Sequence, residues 1–128
     1  MTDERTLRTA AAAEACGAEW AILTAADSVY YAAQVDTVIE TGMSAFAGGP
    51  LTAIVGRDGT LGVVATNIDE AAARASSADQ VTVYRGLELS DRSLVESRFR
   101  RAMDEALTAL GVGGTVAVQA ATLPRNVA

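Results

Sequence analysis

Residues 51–66 read LTAIVGRDGTLGVVAT and decide the fold, because two apolar runs flank a turn signal. Asp58-Gly59 between runs rich in Val, Ile and Leu predicts a β-hairpin. Both faces of this hairpin are mostly apolar, so we expect it inside a sheet that helices cover on each side. These residues predict a soluble α/β domain and do not say what it does.

A two-residue turn at Asp58-Gly59 would also fix the register of the hairpin. It would pair Arg57 with Thr60 and Val55 with Gly62. One face would then carry Thr52, Ile54, Leu61, Val63 and Ala65, and the other would carry Leu51, Ala53, Val55 and Val64.

Composition restricts the classes of function that are open to the chain. At 128 residues it is long enough for one domain with one core. The formal charge is −6 and all basic residues are arginine, which argues against a nucleic-acid or anionic-membrane surface. No apolar run approaches the length of a membrane span, and the charged start MTDERTLR leads us to expect no secretion signal. There is no histidine, so Cys/His zinc sites and His-based catalysis are excluded.

The N-terminal part predicts a helix, a strand and a short helix. The helix spans residues 3–16 and ends at Gly17. Its predicted buried stripe consists of Leu7, Ala11, Ala15 and Ala18. Cys16 is expected to be a small buried or half-buried residue. A strand over residues 19–24 follows, and Asp27 is the predicted N-cap of a helical turn in which one of two adjacent tyrosines is buried.

The second half predicts two helices and two strands. Asn67 and Glu70 form a predicted capping box for a helix that runs to about Ala75. A strand over residues 80–85 follows. Ser90 or Asp91 caps a long helix to about Leu110. Its core stripe is Val95, Phe99, Ala102, Met103, Ala106, Leu107 and Leu110. Thr115–Gln119 is the last strand.

Together these elements predict a three-layer α/β fold. The sheet has five strands and is mixed, with one antiparallel strand and helices on both faces. The connection over residues 35–50 is long for a compact domain and is glycine-rich, which favours a loop that faces a partner or ligand.

No arrangement of residues predicts an active site. The sequence lacks a His-based triad, a CxxC pair, a nucleophile elbow and a phosphate-binding loop. A two-metal carboxylate site of the nuclease type is the remaining enzymatic option. It is disfavoured because Asp27, Asp58 and Asp69 already have predicted turn or capping roles.

Residues 24–31, TAADSVYY, match position by position a segment of the form t-s-p-e-N-v-r-Y, and Arg57-Asp58-Gly59 matches a hairpin turn r-D-G. With the approach FAGGP at residues 46–50, these patterns resemble the N-terminal domain of the pita-bread metallopeptidases: creatinase, prolidase and aminopeptidase P. The resemblance covers essentially the whole chain. It departs from the family at Ser28, where Asn is usual, and at Ala33-Gln34, which replaces Thr-Gly.

The resemblance implies a ribonuclease H-like creatinase/prolidase N-terminal fold and a non-catalytic role. In that family two Asp, a His and two Glu of the C-terminal domain bind two divalent metal ions. We therefore expect no catalytic, metal or cofactor residues here, and we expect residues 1–128 to be one domain of a longer cytoplasmic Xaa-Pro aminopeptidase, prolidase or creatinase-like hydrolase.

The family's N-terminal domain mediates dimerisation or tetramerisation and walls the active site, which restricts substrates to short peptides or small amidino compounds. The partners implied are a second copy and the chain's own catalytic domain, with no nucleic acid and no membrane. The candidate gating or dimer-contact residues are Tyr31, Met43 and Phe46. The alternative is a free-standing small-molecule-binding or regulatory module that uses the carboxyl ends of the strands.

Overall fold

The computed structural model describes residues 4–35, 51–86 and 92–119. The helices are α1 (Glu4–Ala15), α2 (Ala26–Ala33), α3 (Glu70–Arg74) and α4 (Arg92–Leu110). The strands are β1 (Trp20–Leu23), β2 (Thr52–Gly56), β3 (Leu61–Thr66), β4 (Gln80–Tyr84) and β5 (Val116–Val118). The predicted capping residues Ser90 and Asp91 lie outside the described ranges.

The five strands form one sheet in the order β4-β3-β2-β1-β5. Strand β2 runs antiparallel to both of its neighbours, whereas the β3–β4 and β1–β5 pairs are parallel. Four strands therefore run in one direction and β2 runs in the other. This confirms the predicted mixed sheet with one antiparallel strand.

The predicted register of the hairpin is wrong by one residue. Val55 lies opposite Leu61 and Ile54 lies opposite Gly62. A two-residue turn of the predicted kind needs positive φ at Asp58, but in the turn only Gly59 has positive φ, at 86°. The connection is therefore a three-residue loop, in which the Gly59 N–H donates to the Gly56 carbonyl at 2.9 Å.

This one-residue difference moves the side chains of β3 to the opposite face from the one predicted. Leu61, Val63 and Ala65 lie with Ala53 and Val55, not with Thr52 and Ile54. Every residue of β2 and β3 is buried, on both faces of the sheet, so the apolar pattern does not select one register. The conformation of one turn residue decides the register.

Each face of the sheet has its own core. On one face α1, α2 and α3 cover the sheet with small and β-branched side chains, among them Ala10, Val29 and Ala73. On the other face α4 packs mainly over β3 and β4. Its buried residues are Val95, Phe99, Ala102, Met103 and Ala106, with Leu107 and Leu110 partly buried, so the predicted stripe of α4 is confirmed.

Helix α1 buries a different face from the one predicted. Its buried residues are Thr6, Ala10 and Ala13, and Leu7 is 46% exposed. The Thr6 hydroxyl donates to the Ala32 carbonyl at 2.7 Å, which satisfies the hydroxyl and holds α1 against α2. Cys16, predicted to be at least half-buried, is exposed.

Two of the predicted helix caps are also wrong. Helix α2 begins after Ala25, and Asp27 lies within its first turn, where its carboxylate accepts from the Ser28 N–H. The N-cap of α3 is Asp69, with no side-chain cap bond. The Asn67 side chain instead accepts from the Gly86 N–H at 3.0 Å, and so joins the ends of β3 and β4.

Among the described helices, none combines the length and the apolar character needed to cross a bilayer.

Candidate functional site

Tyr31, the described member of the predicted contact residues, lies on the outer side of α2. Its ring is 42% exposed, and the Arg5 guanidinium of α1 lies 5.7 Å from the ring centre. Such a cation–π contact contributes about 0.5–1 kcal/mol at an exposed site. The neighbouring Tyr30 is 51% exposed, so the prediction that one of the two tyrosines is buried is wrong. We call Arg5, Tyr30 and Tyr31 the tyrosine surface.

The inner side of α2 fixes the position of the tyrosine surface. Val29, Ala32 and Ala33 are buried in the core beneath the helix. The tyrosines therefore project from a helix that is anchored on its other side, which suits a surface that must keep one shape. Met43 and Phe46 lie outside the described residues, so the structure does not show whether they join Tyr31.

The end of α2 coincides with one departure from the family pattern, at Gln34. Gln34 has φ 58°, in the left-handed region, and its N–H donates to the Tyr30 carbonyl. Glycine is the residue that reaches this conformation most easily. The family motif has Gly where this chain has Gln34, so the backbone conformation that a glycine would favour persists here without it.

Gln119, which follows β5, links the end of that strand to the start of α2. Its side-chain carbonyl accepts from the N–H groups of Thr24 and Ala25, at 2.8 and 2.9 Å. Its amide nitrogen donates to the Ser28 hydroxyl at 2.8 Å. Gln119 thus lies at the N-terminus of α2, and Ser28 at the family's Asn position is one of its partners.

A second feature, not predicted from the sequence, lies at the opposite end of β1. Glu19, Trp20, Arg57 and Asp58 line a shallow pocket of about 280 Å³. The Arg57 N–H donates to the Glu19 carbonyl at 3.0 Å, which ties the hairpin turn to the start of β1. Gly56 leaves room for the indole, since a β-carbon at Gly56 would lie 2.9 Å from Trp20 Cζ3.

The carboxylate of Asp58 is held by its own turn. It accepts from the backbone N–H and from the hydroxyl of Thr60, at 3.0 and 2.6 Å. These hydrogen bonds, first of all the one from the Thr60 hydroxyl, lower the pKa of Asp58 below its ordinary value of 3.8. A carboxylate in this position stabilises the turn and is a poor proton donor near neutral pH. The Arg57-Asp58-Gly59 signal therefore has a structural role in the hairpin.

Two buried hydroxyl groups lie on the neighbouring strands β3 and β4, one at the carboxyl end of β3 and one in the middle of β4. The Oγ1 atoms of Thr66 and Thr82 have no hydrogen-bond partner among the described residues. A buried hydroxyl without a partner costs about 1–3 kcal/mol. Within the described ranges, no group of three or more Cys, Asp or Glu side chains is placed to hold a metal ion.

A solved structure shares the fold of the chain. It superposes on the creatinase/prolidase N-terminal domain of an X-Pro dipeptidase from Streptococcus pyogenes with a TM-score of 0.59 and 14% identity. The alignment covers 97% of this chain and 87% of that one. The fold is therefore that of the creatinase/prolidase N-terminal domain, as the sequence resemblance implied.

A weaker likeness is to the dipeptidase PepE from Mycobacterium ulcerans, with a TM-score of 0.47 and 17% identity over 74% of this chain. The chain spans 24% of the length of PepE. No protein-family model matches the sequence, and no curated protein does.

Proposed function

We propose that the chain is the non-catalytic N-terminal domain of a longer metallohydrolase of the creatinase/prolidase class. Its proposed roles are assembly of the subunits and substrate gating. The observation that carries this proposal is the fold shared with the S. pyogenes N-terminal domain, over 97% of one chain and 87% of the other. That domain belongs to an X-Pro dipeptidase, so the proposed parent enzyme acts on X-Pro peptides or on related small substrates.

The proposal divides the chemistry between two domains. The family's metal-ligand set includes a histidine, and this sequence has none, so these residues alone cannot complete that set. The two divalent metal ions therefore belong to the catalytic domain of the parent enzyme. This chain would supply a wall of the active site and a contact between subunits.

Tyr31, Met43 and Phe46 are the proposed gating or dimer contacts. Tyr31 supports this assignment because its ring is exposed on a helix whose other side is buried. Helix α2 also leads towards residues 36–50, which contain Met43 and Phe46. Aromatic side chains and arginine are enriched where proteins meet their partners, which is what the tyrosine surface offers.

The test uses the complete reading frame that contains this chain. We expect the full-length protein to sediment as a dimer or tetramer and to hydrolyse X-Pro dipeptides when Mn²⁺ or Co²⁺ is supplied. Tyr31→Ala should weaken assembly or raise KM, whereas Leu94→Ala, at a residue of similar exposure on α4 and outside the tyrosine surface, should do neither. Metal-dependent peptidase activity of residues 1–128 alone would contradict the proposal that catalysis belongs to a separate domain. A reading frame that ends at residue 128 would contradict it as well.

The proposed location of the parent enzyme is the cytoplasm. A single, exposed cysteine is compatible with a reducing compartment. Fractionation of cells that express the full-length protein tests this part of the proposal.

A second candidate function is a small-molecule-binding module. The buried Thr66 hydroxyl favours it, because this group has no partner among the described residues and lies at the carboxyl end of β3, where ligands of open α/β sheets bind. The second such hydroxyl, that of Thr82, lies in the middle of the neighbouring strand β4. A thermal-shift screen of small molecules on the wild type and on the Thr66→Val and Thr82→Val variants tests it. A compound that raises the melting temperature of the wild type but of neither variant would support a binding site. Variants that melt higher than the wild type without any compound would instead assign the hydroxyls to the core.

A further inference from the structure

Strand β4 forms one edge of the sheet, and no strand lies beside its outer side among the described residues. The Tyr84 carbonyl accepts from the Asn67 N–H, on the side of β3. Because the backbone groups of successive strand residues point to alternate sides, Val81 and Val83 direct their N–H and C=O groups outwards. Within the described ranges these groups have no backbone partner. Strand β4 therefore offers unused donors and acceptors along one edge.

The sequence of this edge does not block pairing with another strand. Edge strands that meet only water usually carry a charge or a proline, or are very short. Strand β4 reads QVTVY and has neither a charge nor a proline. The strand at the opposite edge, β5, has three residues, whereas β4 has five. Of the two edges, that of β4 is therefore better suited to pair with a further strand.

A second copy of β4 fits this edge in a symmetric register. With a two-fold axis at Thr82, Val81 of each copy lies opposite Val83 of the other, and each such pair exchanges both of its hydrogen bonds. The two Thr82 residues then form a non-hydrogen-bonded pair, in which opposite side chains come closest. The Thr82 hydroxyl is buried and has no partner among the described residues. Cross-strand threonine pairs hydrogen-bond, so a second copy gives this hydroxyl a partner.

The flank of α4 beside this edge is identified by Arg98. Its guanidinium donates to the Arg85 carbonyl at 3.3 Å. That carbonyl points outwards, because the preceding one, of Tyr84, points towards β3. Arg101 and Glu105 follow Arg98 at spacings of three and then four residues, so they lie on the same flank. Both are exposed, and neither forms an ion pair with another described residue.

The middle of α4 lies above the middle of β4. Phe99 packs on Tyr84 at the end of β4, with 5.6 Å between the ring centres. Leu110 lies over Gly62, which is opposite the first residue of β4. The part of α4 between Phe99 and Leu110 therefore crosses above Thr82.

An axis through Thr82 also makes the charges of two α4 helices complementary. The axis would set these helices antiparallel, and Arg101 and Glu105 lie at equal intervals on either side of Met103. Arg101 of each copy would then face Glu105 of the other. Such complementary charges fix the orientation of two partners more than they add to affinity.

We propose that the edge of β4 is a self-association surface, at which two copies of the chain join their sheets through antiparallel β4 strands. The strand edges supply the hydrogen bonds, the Thr82 hydroxyls pair with each other, and Arg101 and Glu105 set the orientation. Strand pairing alone buries little surface, so we expect a weak dimer. This edge is separate from the tyrosine surface, so the inference does not depend on the proposed function.

Sedimentation equilibrium of the 128-residue chain tests the proposal, at concentrations up to about 1 mM, and we expect a monomer–dimer equilibrium. Arg101→Glu should raise the dissociation constant roughly tenfold, because it places like charges opposite each other twice in the dimer. Combining Arg101→Glu with Glu105→Arg exchanges the two charges and should restore the wild-type value. Arg100→Glu makes the same change of charge at an exposed position outside this flank, and it should leave the dissociation constant unchanged.

Val83→Pro tests the strand pairing itself. It removes an outward N–H and no hydrogen bond to β3, so circular dichroism should show a retained fold while the dimer is lost. If this variant does not fold, the charge exchange at Arg101 and Glu105 still decides. A monomer at every concentration would overturn the proposal. A dimer of wild-type strength in Arg101→Glu or in folded Val83→Pro would also overturn it, because another surface would then hold the two copies.

Discussion

The β2–β3 hairpin and strand β5 are apolar parts of the same sheet, but they are stabilised in different ways. Every residue of β2 and β3 is buried, because helices cover both faces of the hairpin. In β5 two residues are half-buried and Val118 is exposed. The sequence of an apolar strand therefore does not tell whether both of its faces are covered, since that depends on how far the neighbouring helices extend.

Strand β5 is less buried than the hairpin, and hydrogen bonds at its ends hold it in place. The Gln119 side chain joins it to the start of α2, and the Glu19 N–H donates to the Thr115 carbonyl at 2.8 Å. Burial of apolar groups holds the hairpin, whereas polar contacts at its two ends hold β5. Four sets of substitutions test this difference between the hairpin and β5.

The largest expected difference lies within one row of the sheet. Ile54→Ala removes a fully buried side chain and should lower the free energy of unfolding of the 128-residue chain by about 2–5 kcal/mol. Val118→Ala in the same row should change it by about 0.5 kcal/mol or less, because Val118 is already exposed. Urea unfolding followed by circular dichroism measures both. Similar losses for the two variants would contradict the comparison.

Gln119→Ala should have the next largest effect. It leaves the N–H groups of Thr24 and Ala25 without their acceptor, at a cost of about 1–3 kcal/mol. Gln119→Glu keeps an acceptor oxygen at the helix N-terminus and should recover much of the loss. Hydrogen exchange at Thr24 and Ala25 should be faster in the alanine variant. An unchanged exchange rate would show that the side chain does not hold β5.

Gly59→Ala tests the turn that sets the hairpin register. An alanine at φ 86° is strained and should destabilise the chain by about 1–2 kcal/mol. Gly113→Ala is the control, because that position has no positive φ and a β-carbon added there would meet no heavy atom within 4 Å. Thermal unfolding of the two variants compares them. Equal melting temperatures would rule out a three-residue loop with a left-handed glycine.

The smallest expected effect is the pH dependence of the same turn. Hydrogen bonds from Thr60 lower the pKa of Asp58, so its carboxylate stabilises the folded state above the ordinary value of 3.8. That contribution is lost as the pH falls through the lowered pKa. The stability difference between wild type and Asp58→Ala should therefore be present at pH 7 and shrink below about pH 3.8. A difference that is constant with pH would exclude this role.

The sequence predicted the elements and the single antiparallel strand, because periodicity and turn residues determine them, but it did not predict that β5 pairs with β1. The spacing of Val95, Phe99 and Met103 allows one buried face for α4, and the structure shows that face. The sequence of α1 shows no comparable contrast between an apolar and a polar face, because alanines lie on several of its sides. In addition, Thr6 takes the place of an apolar residue in the contact with α2. The hairpin register depended on the φ angle of Asp58, which an Asp-Gly pair leaves open.

The candidate site was predictable in part. Tyr31 was found through a family motif, and its exposure agrees with a contact role without testing it. The pocket beside Trp20 escaped prediction because Glu19 and Arg57 are distant in sequence and meet only through the β1–β2 register. Gly56 was the available signal, since a glycine opposite Trp20 leaves room for an indole.

The pairing of β5 with β1 also has a consequence for the order of events during synthesis. Gln119 and Thr24, which this pairing brings together, lie 95 residues apart in the chain. The hairpin needs only neighbouring residues, so it can form early, whereas the pairing of β1 with β5 must wait for nearly the whole domain to be translated. Until then β1 is paired with β2 on one side only, and its other edge stays unpaired.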